Sequence, residues 1–252
     1  MKYLESILDP MPVNELQTHY DERKCLVLEG EKTKFHDLVS PEDIELRLND
    51  GCNNSSFAQI IKDGGRSAAV ESSCVWSPAS LKKTHFTESL KANLSFMMAN
   101  SSQITSTMAQ LIDEIEQFFG DDQVHADVHL YCSVNDRGNS YNAHRDFPQH
   151  KILLQAYGDT NWKIYNAIKE VPPHIAAIPV EEEEDWLELA SEFTLTQGDL
   201  LYMPPGTFHK VVSVAGPRIS ISIPFYSMPE AGRMDRSHIP FASLFRDNLA
   251  AE

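Results

Sequence analysis

Gly198-Asp199-Leu200-Leu201-Tyr202-Met203-Pro204-Pro205-Gly206-Thr207-Phe208-His209 is the stretch whose reading decides the fold. Gly198-Asp199 is a turn that feeds an apolar strand over 200–203, and Pro204-Pro205-Gly206 makes a rigid corner. His209 projects from that corner at the start of the next strand. The same rhythm runs outward in both directions. Val124-His125-Ala126-Asp127-Val128-His129-Leu130-Tyr131-Cys132 alternates with period two and reads as one strand. A Gly/Asn/Ser loop over 135–142 follows, then strands over 151–157 (ending at Gly158), 161–165, 192–195, 210–214 and 218–225. Many short strands separated by turns predict an antiparallel sandwich or barrel.

The N-terminal third carries helical patterns. Residues 14–23 read as a helix and 24–28 as a short strand. Ser40-Pro41-Glu42-Asp43 opens a second helix, with Ser40 as cap and acids at the positive end of the dipole. A third, over 104–119, lines up Met108, Leu111, Ile112, Ile115 and Phe119 and stops at Gly120. Glu181 to Asp185 predicts the solvated start of a short amphipathic helix with Trp186, Leu187 and Leu189. Without a clear linker, the expectation is one domain over 1–252: a support region to 122, a core over 123–226 and a tail over 227–252 with one short helix.

The formal net charge of -16 argues against direct nucleic-acid binding. No apolar run is long enough for a signal peptide or a bilayer span. Cys25, Cys52, Cys74 and Cys132 are widely spaced and read as reduced thiols in a cytoplasmic protein.

The chemistry resides in His144-Arg145-Asp146 and His209. Two imidazoles and one carboxylate can cap one face of a divalent metal and leave the other open, an arrangement suited to non-haem Fe(II). A bare His-x-Asp is cheap, since ten histidines and 37 acids in 252 residues give roughly 1.5 chance matches. Context chooses among the three present. His19/Asp21 lies in a helical pattern, where residues two apart diverge. His125/Asp127 shares a strand face but precedes the loop. His144/Asp146 also fits a strand and leads into the corner that carries His209. A protein-kinase reading of His-Arg-Asp fails, because no Asn stands five residues after Asp146 and no glycine-rich phosphate loop is present.

With Leu130-Tyr131-Cys132-Ser133, His144-x-Asp146, Leu153-Leu154-Gln155-x-x-Gly158, Trp162 and Gly198-Asp199…Pro204-Pro205-Gly206-x-x-His209, the chain resembles the JmjC/cupin-like Fe(II)- and 2-oxoglutarate-dependent oxygenases, most closely the bacterial-type ribosomal oxygenases. The likeness extends upstream through 24–30, Phe35 to Ser40 and 61–65. It implies a mainly β, double-stranded β-helix (jelly-roll) core with N-terminal helices. It also implies metal held by His144, Asp146 and His209, and use of Fe(II), 2-oxoglutarate and O2 to hydroxylate an unactivated C–H bond.

A buried cosubstrate carboxylate needs a cation. Where that group commonly places Lys or Arg, two residues after the glycine, this chain has Thr160. Lys151 and Lys163 are nearby alternatives. Arg218, with Ser220 facing the same way, resembles the Arg-x-Ser clamp of another branch of these oxygenases and offers bidentate recognition. Tyr131 and Ser133 match positions that hydrogen-bond the cosubstrate.

The substrate class stays open between a protein side chain, with a basic ribosomal-type partner suited by the acidic surface, and a free amino acid or other small molecule. The expected absence of the dimerisation and winged-helix regions of ribosomal oxygenases weakens transfer of their substrate. The oligomeric state is open, a homodimer included. A cupin-type metal-binding module without turnover and a metal enzyme that needs no 2-oxoglutarate are the competing classes.

Overall fold

The computed structural model describes residues 1–49, 58–62, 65–68, 70–71, 80–81, 83–92, 94–120, 123–134 and 141–228. Its helices are α1 (Lys2–Leu8), α2 (Val13–Glu22), α3 (Pro41–Asn49), α4 (Lys83–Lys91), α5 (Ser106–Phe119) and α6 (Glu183–Trp186). The strands are β1 (Leu26–Leu28), β2 (Ala58–Lys62), β3 (Gly65–Ala68), β4 (Val70–Glu71), β5 (Ser80–Leu81), β6 (Ser95–Met98), β7 (Val124–Ala126), β8 (His129–Ser133), β9 (His150–Ala167), β10 (Leu187–Leu195), β11 (Leu200–Met203) and β12 (Phe208–Ser227). One antiparallel sheet runs β1-β11-β9-β12-β8-β6-β2-β3, with β10 added to β9 and β7 to β12. The core is a jelly roll, as the resemblance implies.

β9 and β12 make one long antiparallel ribbon that bends in its middle. Residues 150–157 pair with 219–225 in one half, and 159–165 pair with 208–215 in the other. The bend lies at Gly158, whose φ is +67°, opposite Pro217. A Cβ there would meet the Pro217 carbonyl oxygen at 2.3 Å. Gly158→Ala therefore combines left-handed strain with a backbone clash and is expected to cost about 2–4 kcal/mol. Urea denaturation of the variant checks this.

Strand alternation sorts the chemistry from the core. Ile219, Ile221, Ile223 and Phe225 of β12, Leu130 and Cys132 of β8, and Ile152 and Leu154 of β9 pack with Leu4, Leu16, Met108, Leu111 and Ile115 from the helices. Each large side chain buried there contributes about 1.5–3 kcal/mol. The residues in between, Arg218, Ser220, Ser222, Tyr131, Ser133, Lys151 and Gln155, belong to the opposite, inner face. A one-residue slip in register would drive Arg218 and the serines into the apolar layer, so burial itself fixes the register. Leu153, Trp162, Leu195, Leu201 and Met203 form a second apolar cluster.

α5 begins at Thr105, whose hydroxyl accepts from the Met108 amide at 3.0 Å, and ends at Gly120. Ser40 and Asp43 cap α3 reciprocally: the Asp43 amide donates to the Ser40 hydroxyl at 3.1 Å, and the Ser40 amide to the Asp43 carboxylate at 2.8 Å. Both match expectation. Four readings need correction. The strand read over 124–132 is two, split at Asp127-Val128, where the Asp127 amide donates to Pro224 and the Val128 carbonyl accepts from Ser101. The strands read over 151–157 and 161–165 are one, as are those over 210–214 and 218–225, because glycine bends rather than ends each ribbon. Leu187 and Leu189 lie in β10, drawn there by pairing with Ala167 and Tyr165 of β9. His144 and Asp146 occupy an irregular segment in which only His144 makes isolated bridges, to His209 and Ala177. The loop over 135–140, the tail beyond 228, Cys52 and Cys74 lie outside the described residues.

His150 predicts a pH response. Its Nδ1 lies 2.8 Å from the Tyr202 hydroxyl, and its ring stacks on Tyr20 and Phe225. Burial, with Arg23 nearby, pushes its pKa down to about 4. An unfolded chain protonates this residue near pH ~6.5, whereas the fold refuses the proton until about pH 4. The unfolded state thus binds more protons across this window, so stability drops as the pH is lowered, by up to about 1.4 kcal/mol per unit. Urea midpoints between pH 7 and 4.5 should fall less steeply in His150→Gln than in wild type.

Candidate metal centre

His144, Asp146 and His209 converge, with ligand atoms within 4.8 Å of one another. Backbone bonds set the two histidines side by side: the His144 amide donates to the His209 carbonyl at 3.0 Å, and the His209 amide returns a bond at 2.8 Å. The Gly206 amide donates to the Asp146 carbonyl at 2.8 Å, tying the Pro-Pro-Gly corner to the carboxylate's own backbone. Arg145 staples the other side, donating to the carbonyls of Val171, Pro172 and Ile175 with its guanidinium 5.0 Å over the Phe208 ring.

Both imidazoles are oriented as metal ligands would be. His144 Nδ1 lies 2.8 Å from the Asn142 carbonyl and His209 Nδ1 lies 3.0 Å from the Thr207 carbonyl. A carbonyl only accepts, so each Nδ1 carries a proton, and in the neutral ring the lone pair then lies on Nε2. Those Nε2 atoms stand 3.8 and 3.6 Å from Asp146 Oδ2. Bonds of ~2.1 Å to one ion would draw such atoms together by less than about 1 Å. Burial, reinforced by His144 and Lys151, holds the His209 pKa well below the usual imidazole range, so the ring stays neutral. Burial alone would raise the Asp146 pKa, but the Lys151 ammonium against its carboxylate overrides it and keeps the group ionised.

A narrow cavity leads inward from these residues, lined by Tyr131, Tyr141, Lys151, Trp162, Arg218 and Ser220. Arg218 is 2% exposed, yet its Nε and Nη2 have no hydrogen-bond partner among the described residues. Burial lowers its pKa to about 10, which leaves it a cation at neutral pH. Ser133, its cross-strand partner, and Ser222 also bury unpaired hydroxyls. A buried guanidinium with idle donors is costly, and an incoming carboxylate removes that cost. The donor set and the orphaned cation thus fit a metal with a carboxylate cosubstrate.

The remaining expectations divide. Tyr131 lines the cavity. Ser220 does too, but its hydroxyl donates to Gln155 Oε1 at 2.9 Å, so its proton is committed. Thr160 bridges Gln155 and Trp162 in the same buried network. Lys163 faces Glu192 at 3.8 Å and is not among the residues lining this cavity. Lys151 instead reaches the metal end, with its Nζ 2.5 Å from Asp146 Oδ2. Sequence reasoning weighed Lys151 only as a clamp and passed over Ser222 and Gln155. A lone lysine opening the apolar run 152–154, and the extension of the Arg218, Ser220 alternation by two residues, were the signals available.

Residues 98–233, more than half of the chain, match the JmjC domain family. No curated protein matches the sequence. Among solved structures, the Escherichia coli ribosomal oxygenase YcfD superposes over 97% of this chain and 57% of its own, with a TM-score of 0.58 at 18% identity. Its complex with cobalt and 2-oxoglutarate gives a TM-score of 0.56 at 16% identity over 95% of this chain and 55% of that one. Its complex with cobalt and succinic acid gives 0.55 at 16%, with the same coverage. The chain therefore spans less than two thirds of these relatives' length. Enzymes of the matched family use Fe(II), 2-oxoglutarate and O2. Among the described residues no helix is long and apolar enough to cross a membrane. On the extent of the family match and the fold that accompanies it, the chain belongs to the JmjC domain family.

Proposed function

We propose that this protein is a 2-oxoglutarate-dependent hydroxylase in which His144, Asp146 and His209 hold Fe(II) and Arg218 takes the distal carboxylate of the cosubstrate. The observation that carries the reading is the buried Arg218 guanidinium, whose Nε and Nη2 have no partner among the described residues, in the cavity that opens on His144 and His209. When bound, the iron couples decarboxylation of 2-oxoglutarate by O2, giving succinate and CO2, to insertion of the second oxygen atom into a substrate C–H bond. The chain's own residues position and shield. Arg218 fixes one end of the cosubstrate by paired N–H donors, with Ser133 beside it as a further donor. The Asn142 and Thr207 carbonyls keep both imidazoles aimed inward. Trp162, stacked 5.7 Å from the His209 ring, and Leu153 exclude water from the reacting face.

The likeness to a ribosomal oxygenase supports a protein side chain as substrate, with a basic partner suited to the net charge of -16. A free amino acid or other small acid is the second reading, favoured by the lysine at the metal end of the cavity. A metal-binding module without turnover would have no use for an orphaned cation there. Incubation with Fe(II) and 2-oxoglutarate in air tests the proposal: succinate should form with both present, and absence of succinate in wild type would contradict the reading.

A further inference from the structure

Thr160, in the second half of β9, is buried with its hydroxyl held on both sides. The Trp162 indole donates to it at 3.0 Å, and it donates to Gln155 Oε1 at 3.0 Å. An indole N–H only donates, so these bonds have one possible order: Trp162 to Thr160 to Gln155. The Gln155 amide closes the chain. Its Nε2 donates to the carbonyls of Tyr157 and Gly158, both at 3.0 Å, while its Oε1 also accepts from Ser220 at 2.9 Å. Every bond this buried amide can make is therefore made. A flipped amide would set its oxygen against two carbonyls, so Gln155 is a fixed anchor. Thr160, β-branched and stiff at χ1, is fixed by it.

The other end of this chain of bonds lies against a metal-ligand residue. Trp162 is 3% exposed, and its ring stacks 5.7 Å from the His209 ring at an interplanar angle of 23°. The Thr207 carbonyl holds one edge of that imidazole. A single hydrogen bond leaves the ring free to tilt about it, and the indole face removes that freedom. Leu153, Leu195, Leu201 and Met203 pack about the indole, but apolar contacts are non-directional and do not choose its tilt. The bond to Thr160 does, because breaking it would strand a buried donor. Resting on the hydroxylase reading only for its metal ligands, we infer that Thr160 is a positioning residue. Through Trp162 it sets the plane of His209, and with it the approach of that ligand to the ion.

The test is Co(II) binding to the full chain without cosubstrate, read by equilibrium dialysis and by the visible spectrum of the bound ion. Thr160→Val removes the hydroxyl and Thr160→Ser keeps it. Valine should weaken Co(II) binding roughly 10-fold and shift the visible bands, as loss of an outer partner of a ligating histidine does. Serine should restore the wild-type affinity and spectrum. Trp162→Phe keeps an aromatic face without the N–H and should match valine. The two substitutions together should cost no more than either alone, because they cut the same bond. Far-UV dichroism at the assay temperature shows which variants are folded. A Thr160 that only packs would lower the melting temperature of Thr160→Val and leave affinity and spectrum as in wild type; that result, or additive effects in the double variant, overturns the inference. If Thr160→Val does not fold, Trp162→Phe decides, and wild-type Co(II) binding and spectrum in it overturn the inference. These outcomes sink the inference alone, whereas a wild-type chain that binds no Co(II) sinks the metal-centre reading together with it.

Discussion

Arg218→Met should leave the protein folded, no less stable without ligand than wild type, and close to blind to 2-oxoglutarate. Arg218 is buried with Nε and Nη2 unpaired. A ligand-free protein therefore bears the desolvation of a guanidinium without the bonds that offset it. Methionine fills much of the same space and removes that strain, a stability–function exchange expected of residues kept for binding. The cosubstrate loses a paired, charge-assisted contact at roughly 3 kcal/mol or more, about a 100-fold fall in affinity. Melting curves with and without 2-oxoglutarate in the presence of Co(II) read both effects. The ligand-induced shift disappears while the ligand-free midpoint holds or rises. A 2-oxoglutarate shift equal to that of wild type would move the clamp elsewhere.

His209→Ala should abolish the metal centre and turnover with it. Its Nε2 faces Asp146 Oδ2 at 3.6 Å, the ring is 4% exposed, and its Nδ1 is already committed to Thr207. Among the described residues the cluster consists of His144, Asp146 and His209, so no fourth ligand of this kind stands by to replace it. Loss of one ligand of three is expected to weaken divalent-ion binding at least ~1000-fold, about 4 kcal/mol. Succinate formation should drop below detection. Equilibrium dialysis against Co(II) decides the first point. Retention of one ion per chain at wild-type affinity would remove His209 from the ligand set.

Much of this site is legible in local chemistry. The Pro204-Pro205-Gly206 corner places His209, and period-two alternation puts Arg218 on the face opposite Ile219 and Ile221. What was hidden is set by tertiary pairing. Gly158 reads as a stop, yet a positive φ lets it bend a continuous strand, because the carbonyl of Pro217 packs where a side chain would stand. The acidic run ahead of Trp186 reads as a helix continuing through Leu189, but pairing with β9 outweighs that weak propensity and makes 187–195 a strand. His144-x-Asp146 reads as a strand pair, and the segment is instead held by single bridges and by Arg145. The Lys151–Asp146 contact joins residues five apart across an irregular segment, where no periodic rule applies.

The most direct measurement is anaerobic titration of the protein with Fe(II) and 2-oxoglutarate, following visible absorption. The account predicts a weak charge-transfer band that requires both components, saturates at one equivalent of iron, and is lost in Arg218→Met and His209→Ala. No band in the wild-type protein, or a band indifferent to both substitutions, would contradict it.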